Sequence, residues 1–211
     1  MKQSYLTEQY YENPEIDIYD INQSLKFYHT RRFKIAYELV RKYHDGGEIL
    51  DMCCGLAEWN KDKLEVTGID ISKELLHKAM MAGRVLHGIQ SNIFSNPFTF
   101  ESFSLIVCTG TLEHFKYPSL VVAEIRKLLI PRGIAIISVP YEANLGLWKP
   151  LFKARCFIEG TIKKREYYLN NMGHINHFTP QTLIPLLKSY NFKILEVINN
   201  LTLDFFVVVQ K

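Results

Sequence analysis

Apolar residues recur in two rhythms along this chain. Between residues 24 and 43, Leu25, Tyr28, Ile35, Leu39 and Val40 fall near helical spacing, and Asp45-Gly46-Gly47 follows as a stop signal. The rhythm then shortens to compact apolar runs at 48–52 and 66–70. A short helical stretch is expected around Trp59 between them, and the three together outline a βαβ unit. Strands are expected again at 84–88, 104–108 and 134–139, and helices at 73–82 and 118–129. In the second of these helices Val121, Val122, Ile125, Leu128 and Leu129 share one stripe, and Pro131-Arg132-Gly133 ends it. Thr179-Pro180 supplies an N-cap and a first-turn proline for a helix to Tyr190, kinked at Pro185, with Asn191 in the left-handed turn after it. Residues 192–197 and 203–209 close the chain as two strands turning at Asn199-Asn200. Strands alternating with helices in this way predict a mostly parallel sheet covered on both faces.

Composition narrows the class. The 211 residues are 47% hydrophobic and 22% charged, an ordinary globular balance, and no apolar run approaches the roughly 20 residues that span a bilayer. The start, Met1-Lys2-Gln3-Ser4-Tyr5, lacks the apolar core of a secretory signal, so a soluble, cytoplasmic protein is expected. A net charge of +3 is too weak to announce nucleic acid as a partner. Cys53 and Cys54 are adjacent while Cys108 and Cys156 stand alone, so no CxxC pair supports a zinc site, and reduced thiols are expected.

Residues 141–177 form the one long stretch without sheet character, and a structureless loop of that length is unusual unless functional. A helical insertion is expected there. It mixes Trp148, Leu151, Phe152, Phe157, Ile158, Tyr167 and Tyr168 with Lys149, Lys153, Arg155, Lys163, Lys164 and Arg165.

Several motifs carry chemistry. In Ile49-Leu50-Asp51-Met52-Cys53-Cys54-Gly55-Leu56-Ala57-Glu58-Trp59 a strand ends near an acidic residue and enters a turn of small residues. Open α/β sheets bind ligands at such strand ends. The second strand, Val66-Thr67-Gly68-Ile69-Asp70, ends in an acid about 20 residues after Asp51, the spacing of a ribose-binding carboxylate in nucleotide folds. Its two oxygens match the two hydroxyls of a diol. Ser91-Asn92-Ile93-Phe94 follows the third strand, Val107-Cys108-Thr109-Gly110-Thr111-Leu112-Glu113-His114 ends the fourth, and Gly173-His174-Ile175-Asn176-His177-Phe178-Thr179 precedes the last helix.

In this order, from about residue 48 to residue 211, the motifs resemble those of class I S-adenosylmethionine-dependent methyltransferases of the small-molecule type. The Cys-Cys-Gly-x-Ala-acidic-Trp turn looks like that of some quinone-pathway members, with Cys53 and Ala57 where two glycines are usual. The resemblance implies a Rossmann-like, doubly wound, mostly parallel seven-stranded sheet with an antiparallel C-terminal hairpin strand, an N-terminal helix and a helical insertion after the fifth strand. It also implies one methyltransferase domain over 1–211, with 1–46 as an N-terminal helical extension and 141–177 as an insertion or lid. The implied cofactor is S-adenosylmethionine, leaving as S-adenosylhomocysteine. Asp51, Cys53, Gly55 and Ala57 are expected around its methionine portion, Arg31 on its carboxylate and Asp70 on its ribose. Ile71 is expected against the adenine, Asn92 and Ile93 at the adenine edge, and Cys108 and Thr109 at the end of the fourth strand. Asn92 stands in place of the family's usual aspartate. The intervening helix near Trp59 is about one turn shorter than usual.

His114 and His174 are the candidates for a general base or an acceptor-orienting group, since histidine titrates near neutrality. A structural role, as a cap or hydrogen-bonded core group, stands beside that reading for each, and a solvated helix charge stands beside it for Arg31. The expected reaction is in-line transfer of a methyl group to a small-molecule acceptor. The insertion is expected either to cover the acceptor site or to lie on an anionic membrane through Trp148 and Phe152 beside Lys149, Lys153 and Arg155. Three rival functions compete with this one. A dehydrogenase would want GxGxxG, which Cys53-Cys54-Gly55 does not supply. A catalytically silent cofactor-binding partner subunit and a nucleic-acid methyltransferase using the basic insertion stay as alternatives. Oligomeric state and the methylated atom are left open by the sequence.

Overall fold

The computed structural model describes residues 23–143 and 146–211. Residues 1–22 of the expected N-terminal extension and residues 144 and 145 of the insertion lie outside the described residues. So do the side chains of residues 23–26, 166 and 167, the expected core position Leu25 and the aromatic Tyr167 among them.

Apolar side chains on both faces of the central strands force two covering layers. Helix α1 (Gln23–Tyr43) buries Ala36, Leu39 and Val40 against Ile49 of β1 (Ile49–Met52) and Leu105 and Val107 of β4 (Phe103–Thr109). Along β4 the alternate residues Ile106 and Cys108 turn to the opposite face. There they meet Val121, Val122, Ile125 and Leu128 of α3 (Pro118–Leu128) and Leu183 and Leu187 of α6 (Pro180–Ser189). Burying each such side chain contributes roughly 1.5–3 kcal/mol. Among the described residues β2 (Val66–Asp70), β3 (His87–Gln90), β5 (Leu129–Pro140), β6 (Lys193–Asn200) and β7 (Asp204–Gln210) complete one seven-stranded sheet. Its order is β3-β2-β1-β4-β5-β7-β6, with β7 antiparallel to both neighbours. The strand order reverses between β1 and β4, which opens a crevice at their carboxyl ends. No described helix is long and apolar enough to cross a membrane. The four thiols are free.

Several boundaries follow side-chain chemistry that local pattern hid. Ser72 caps α2 (Lys73–Met81), its Oγ accepting the Leu75 N–H at 3.3 Å. Helix α3 stops at Leu128 because β5 begins at Leu129, so Pro131-Arg132-Gly133 lies inside an irregular strand start, with Arg132 at φ 65. The third strand is shifted from 84–88 to His87–Gln90, and α6 continues through Pro185 to Ser189. Asn191 is left-handed, as expected. The hairpin does not turn at Asn199-Asn200. Those residues end β6, paired with Phe205 and Asp204, and the turn is Leu201-Thr202, at φ 53 and 56. Asn199 Oδ1 fixes it from outside by accepting the Thr202 N–H at 2.7 Å.

The largest departure lies between β1 and β2, where the expected helix near Trp59 is replaced by a series of turns. Gly55, Ala57 and Lys63 all have positive φ, which interrupts any helical run. Fully buried Asn60 substitutes for the missing ladder. Its Nδ2 donates to the carbonyls of Leu64 (2.9 Å) and Arg84 (2.8 Å), and its Oδ1 accepts the Leu64 N–H at 2.9 Å. Asn60→Ala strands these three groups and should cost about 2–4 kcal/mol of stability. Urea denaturation checks it, and a loss near zero would show that the turns hold themselves.

The insertion after β5 is helical as expected. It comprises α4 (Trp148–Arg155), a π-helical turn (Cys156–Ile162), α5 (Glu166–Leu169) and a 3-10 turn (Asn171–Gly173).

Candidate active site

The site begins at the turn leaving β1. Cys53, Gly55 and Ala57 are all left-handed, at φ 56, 51 and 46, so two non-glycine residues accept a conformation that costs about 1–2 kcal/mol each. Neighbouring carboxylates hold it. The Gly55 N–H donates to Asp70 Oδ2 at 2.8 Å, and Asp70 Oδ1 accepts the Ser72 N–H at 2.8 Å. Burial pushes the Asp70 carboxyl up, against the pull of these backbone donors. Asp51, 2% exposed, accepts the Trp59 indole N–H at 2.7 Å, and burial pushes its carboxyl well above the usual range. Asn92 caps the 3-10 turn Ile93–Ser95 by accepting the Phe94 N–H at 2.9 Å.

The opposite wall is built by α1 and the C-terminal hairpin. Gly110, at φ 64 after β4, leaves room for the Arg32 guanidinium, with which a Cβ there would collide. Arg32 Nε lies 3.7 Å from Asp204 Oδ2. Asp204 is buried, its carboxyl pushed up to about 6 by burial against the pull of Arg32, and its Oδ1 accepts from Asn200 Nδ2 at 2.6 Å. Arg31 points elsewhere: it is exposed, and its Nε donates to Asn200 Oδ1 at 2.6 Å. The cation of α1 at the cavity is therefore Arg32, one residue on from the expected position.

Between these walls lies a cluster of titratable groups. Glu113 and His114 stand on the 3-10 turn Leu112–His114, and His174 follows the insertion's last 3-10 turn, Asn171–Gly173. The His114 and His174 rings meet edge to face at 5.0 Å. His114 Nδ1 lies 3.2 Å from the Gly173 carbonyl, and His174 Nδ1 lies 3.3 Å from Glu142 Oε1, whose other oxygen bonds His177 Nδ1. His174 also stacks on Phe152 at 4.9 Å and on Trp148 at 6.1 Å. Burial, then His174, lowers the His114 pKa to about 3, and burial pushes the Glu113 carboxyl up.

One cavity joins the three parts. Of the expected site residues, Cys53, Ala57, Thr109, His114 and His174 line it. Arg31, Asp51, Gly55, Asp70, Ile71, Asn92, Ile93 and Cys108 do not, although Gly55 and Asp70 brace its turn. Arg32, His29, Glu113, Trp148, Phe152 and Arg155 line it as well. Glu113 carried a signal as the middle of the Leu-Glu-His turn, Trp148, Phe152 and Arg155 lay in the expected lid, and His29 and Arg32 carried none. Trp148, Phe152 and Tyr168 are buried, the first two on the cavity side that a lid requires and not on an outward membrane face. The exposed apolar residues of the insertion are instead Leu147, Leu151, Phe157, Ile158, Ile162 and Leu169.

A mostly parallel sheet with an antiparallel C-terminal strand and a carboxylate-braced small-residue turn at its switch point, opening on one cavity, is the architecture of class I S-adenosylmethionine-dependent methyltransferases. Residues 7–197 match the family model described as a methyltransferase domain, so the chain belongs to this methyltransferase family. It is similar to a demethylmenaquinone methyltransferase of Listeria monocytogenes serotype 4a, with 27% identity over 138 residues covering 60% of this chain. The chain spans 58% of that relative's length. In fold it is similar to an S-adenosylmethionine-dependent methyltransferase from Thermotoga maritima, with TM-score 0.68, 14% identity, and 93% of this chain and 99% of that one covered. A second such structure, from Methanosarcina mazei, has TM-score 0.60, 23% identity, and 82% and 96% covered. At these identities the two structures establish likeness of fold.

The burial of His29 makes stability pH-dependent. Burial, with Arg32 and Arg155 nearby, lowers its pKa from 6.5 to about 4, so the unfolded chain takes up this proton first. The stability it contributes is full above pH 6.5 and is lost as pH falls through 4. His29→Gln should remove that dependence, sparing about 1–2 kcal/mol of the loss between about pH 7.5 and about pH 5. Urea titrations of both proteins at the two pH values measure it. Equal losses would show that His29 is not held neutral.

Proposed function

We propose that this chain transfers the methyl group of S-adenosylmethionine to a small-molecule acceptor inside the cavity. The observation that carries this reading is continuity: one cavity runs from the left-handed turn at Cys53 and Ala57 to the Glu113–His114–His174 cluster. A cofactor and an acceptor need such a shared space to meet.

The residues fit the cofactor. The turn brings small residues to the cavity, Asp70 ends the adjacent strand with a lone pair beyond those its backbone donors occupy, and Arg32 supplies a cation for a carboxylate. In this reading Cys53, Ala57, Thr109 and Arg32, with the Gly55 backbone behind them, hold the methionine portion, and Asp70, Ile71, Asn92 and Ile93, outside the cavity lining at the ends of β2 and β3, hold the nucleoside. Asp51 acts through Trp59 to keep the turn in place, and Cys108 packs beneath Thr109. When bound, the cofactor supplies a sulfonium-activated methyl group. The chain's own task is then to orient the acceptor and exclude water. Trp148, Phe152 and Met172 of the insertion close the cavity on one side, the role of a lid. His114, neutral with a pKa near 3, is too weak a base to take a proton near neutrality, so it and His174 serve to orient the acceptor's reacting atom. The apolar walls suit an acceptor with an apolar body and a polar reactive end. The similarity to a protein named for demethylmenaquinone supports the same choice.

Two measurements test the reading. Incubation with labelled S-adenosylmethionine and a cell extract, followed by mass spectrometry, should give a labelled small molecule. Label in RNA alone would favour the nucleic-acid alternative, and cofactor binding without any product would favour the silent partner. Asp70→Ala should weaken S-adenosylmethionine binding on the order of a hundredfold, because two charge-assisted hydrogen bonds are lost. It should also lower the melting temperature by freeing the Gly55 N–H, whereas Asp70→Asn should be milder in both. Unchanged calorimetric affinity in folded Asp70→Ala would remove the cofactor role of β2.

A further inference from the structure

We propose that Glu113, His114 and His174 form a binding site for one divalent first-row transition-metal ion on the cavity wall. The sequence offered no such site, because its expectation rested on the spacing of cysteines. The fold assembles one from other residues. One donor atom from each of the three side chains lies within 4.8 Å of the others. Donors on one ion at about 2.1 Å lie about 3–4 Å apart, so shifts of about an ångström close the set.

Three further observations point to a cation. Glu113 is 2% exposed, and its Oε2 has no hydrogen-bond partner among the described residues, a costly state for a buried carboxylate that the charge of Arg32 across the cavity offsets only in part. The two imidazoles are turned the same way. A carbonyl oxygen can only accept, so the contact with Gly173 puts the His114 hydrogen on Nδ1 and the lone pair on Nε2, the nitrogen 4.0 Å from Glu113 Oε1. Glu142 fixes His174 in the same tautomer, the carboxylate–histidine arrangement that orients metal ligands. Stacking on Phe152 and Trp148 then holds the His174 plane. Two imidazoles and one carboxylate suit first-row divalent ions and leave coordination positions open. All three residues line the cavity, so those positions face it. This deepens the transferase reading and rests on it only for what would approach them: an acceptor presenting an oxygen to the metal.

The test uses Co2+ alone as the probe on the full chain. One Co2+ should bind per chain, giving visible d–d absorption. Glu113→Gln and His174→Gln should each weaken it on the order of a hundredfold, and Glu142→Gln about tenfold to a hundredfold. His77→Gln, exposed on α2, should leave it unchanged. Absence of stoichiometric binding to the unsubstituted chain at micromolar free Co2+ overturns the site, as does equal affinity in folded Glu113→Gln and His174→Gln. If Glu113→Gln fails to fold, His174→Gln decides. A separate titration of the metal-free chain with S-adenosylmethionine keeps the two readings apart. Cofactor binding without Co2+ binding sinks the metal site alone, and Co2+ binding without cofactor binding sinks the transferase reading alone.

Discussion

Two carboxylates at the ends of neighbouring parallel strands set the shape of everything around the cavity. Asp51 and Asp70 are both buried, where a carboxylate without donors is costly. The Trp59 indole answers the first, and the backbone of Gly55 and Ser72 answers the second. To deliver those donors the chain after β1 must fold back sharply, which places Cys53, Gly55 and Ala57 in the left-handed region. The strain is local and the compensation is hydrogen bonding across two strands. The cradle and the absence of a helix between β1 and β2 follow from the same arrangement, with Asn60 binding the remaining turns together.

A second strained turn plays a matching part on the other side. Leu201 and Thr202 are both left-handed, and a β-branched residue rarely is. The turn is seated against the insertion: Thr202 Oγ1 accepts the Leu147 N–H at 2.9 Å, and the Thr202 carbonyl accepts the Trp148 N–H at 3.1 Å. These amides lie at the start of α4, where a helix has no partners of its own for them. The hairpin therefore fixes where α4 begins, and so where Trp148 and Phe152 stack on His174. Beneath it Asn200 accepts from Arg31 and donates to Asp204, which faces Arg32. The N-terminal helix and the C-terminal hairpin thus meet under the cavity through one buried polar cluster.

The chain is most legible where chemistry and local conformation coincide. A strand ending in an acid and running into small residues has few other uses, so the β1 turn and the Asp70 strand end were both legible. Arg31 illustrates the limit. Consecutive residues on a helix point about 100° apart, so an arginine pair announces a cation without saying which one faces the cavity. The aromatics of the insertion illustrate another. Trp148 and Phe152, four residues apart on α4, fit a membrane face as well as a cavity face until something packs against them.

From its sequence alone this protein has most of its order of elements, its mostly parallel sheet and the turn and acid at adjacent strand ends of the candidate site, because short-range periodicity and strand-terminal residues encode them. Only the tertiary structure decided that Arg32 meets Gly110, that the insertion turns its aromatic side inward, and that His174 returns to stand against Glu113 and His114. Those contacts join residues far apart along the chain. Their distances are set by how helices rotate and how a strained hairpin seats an insertion, and no local pattern of residues carries that information.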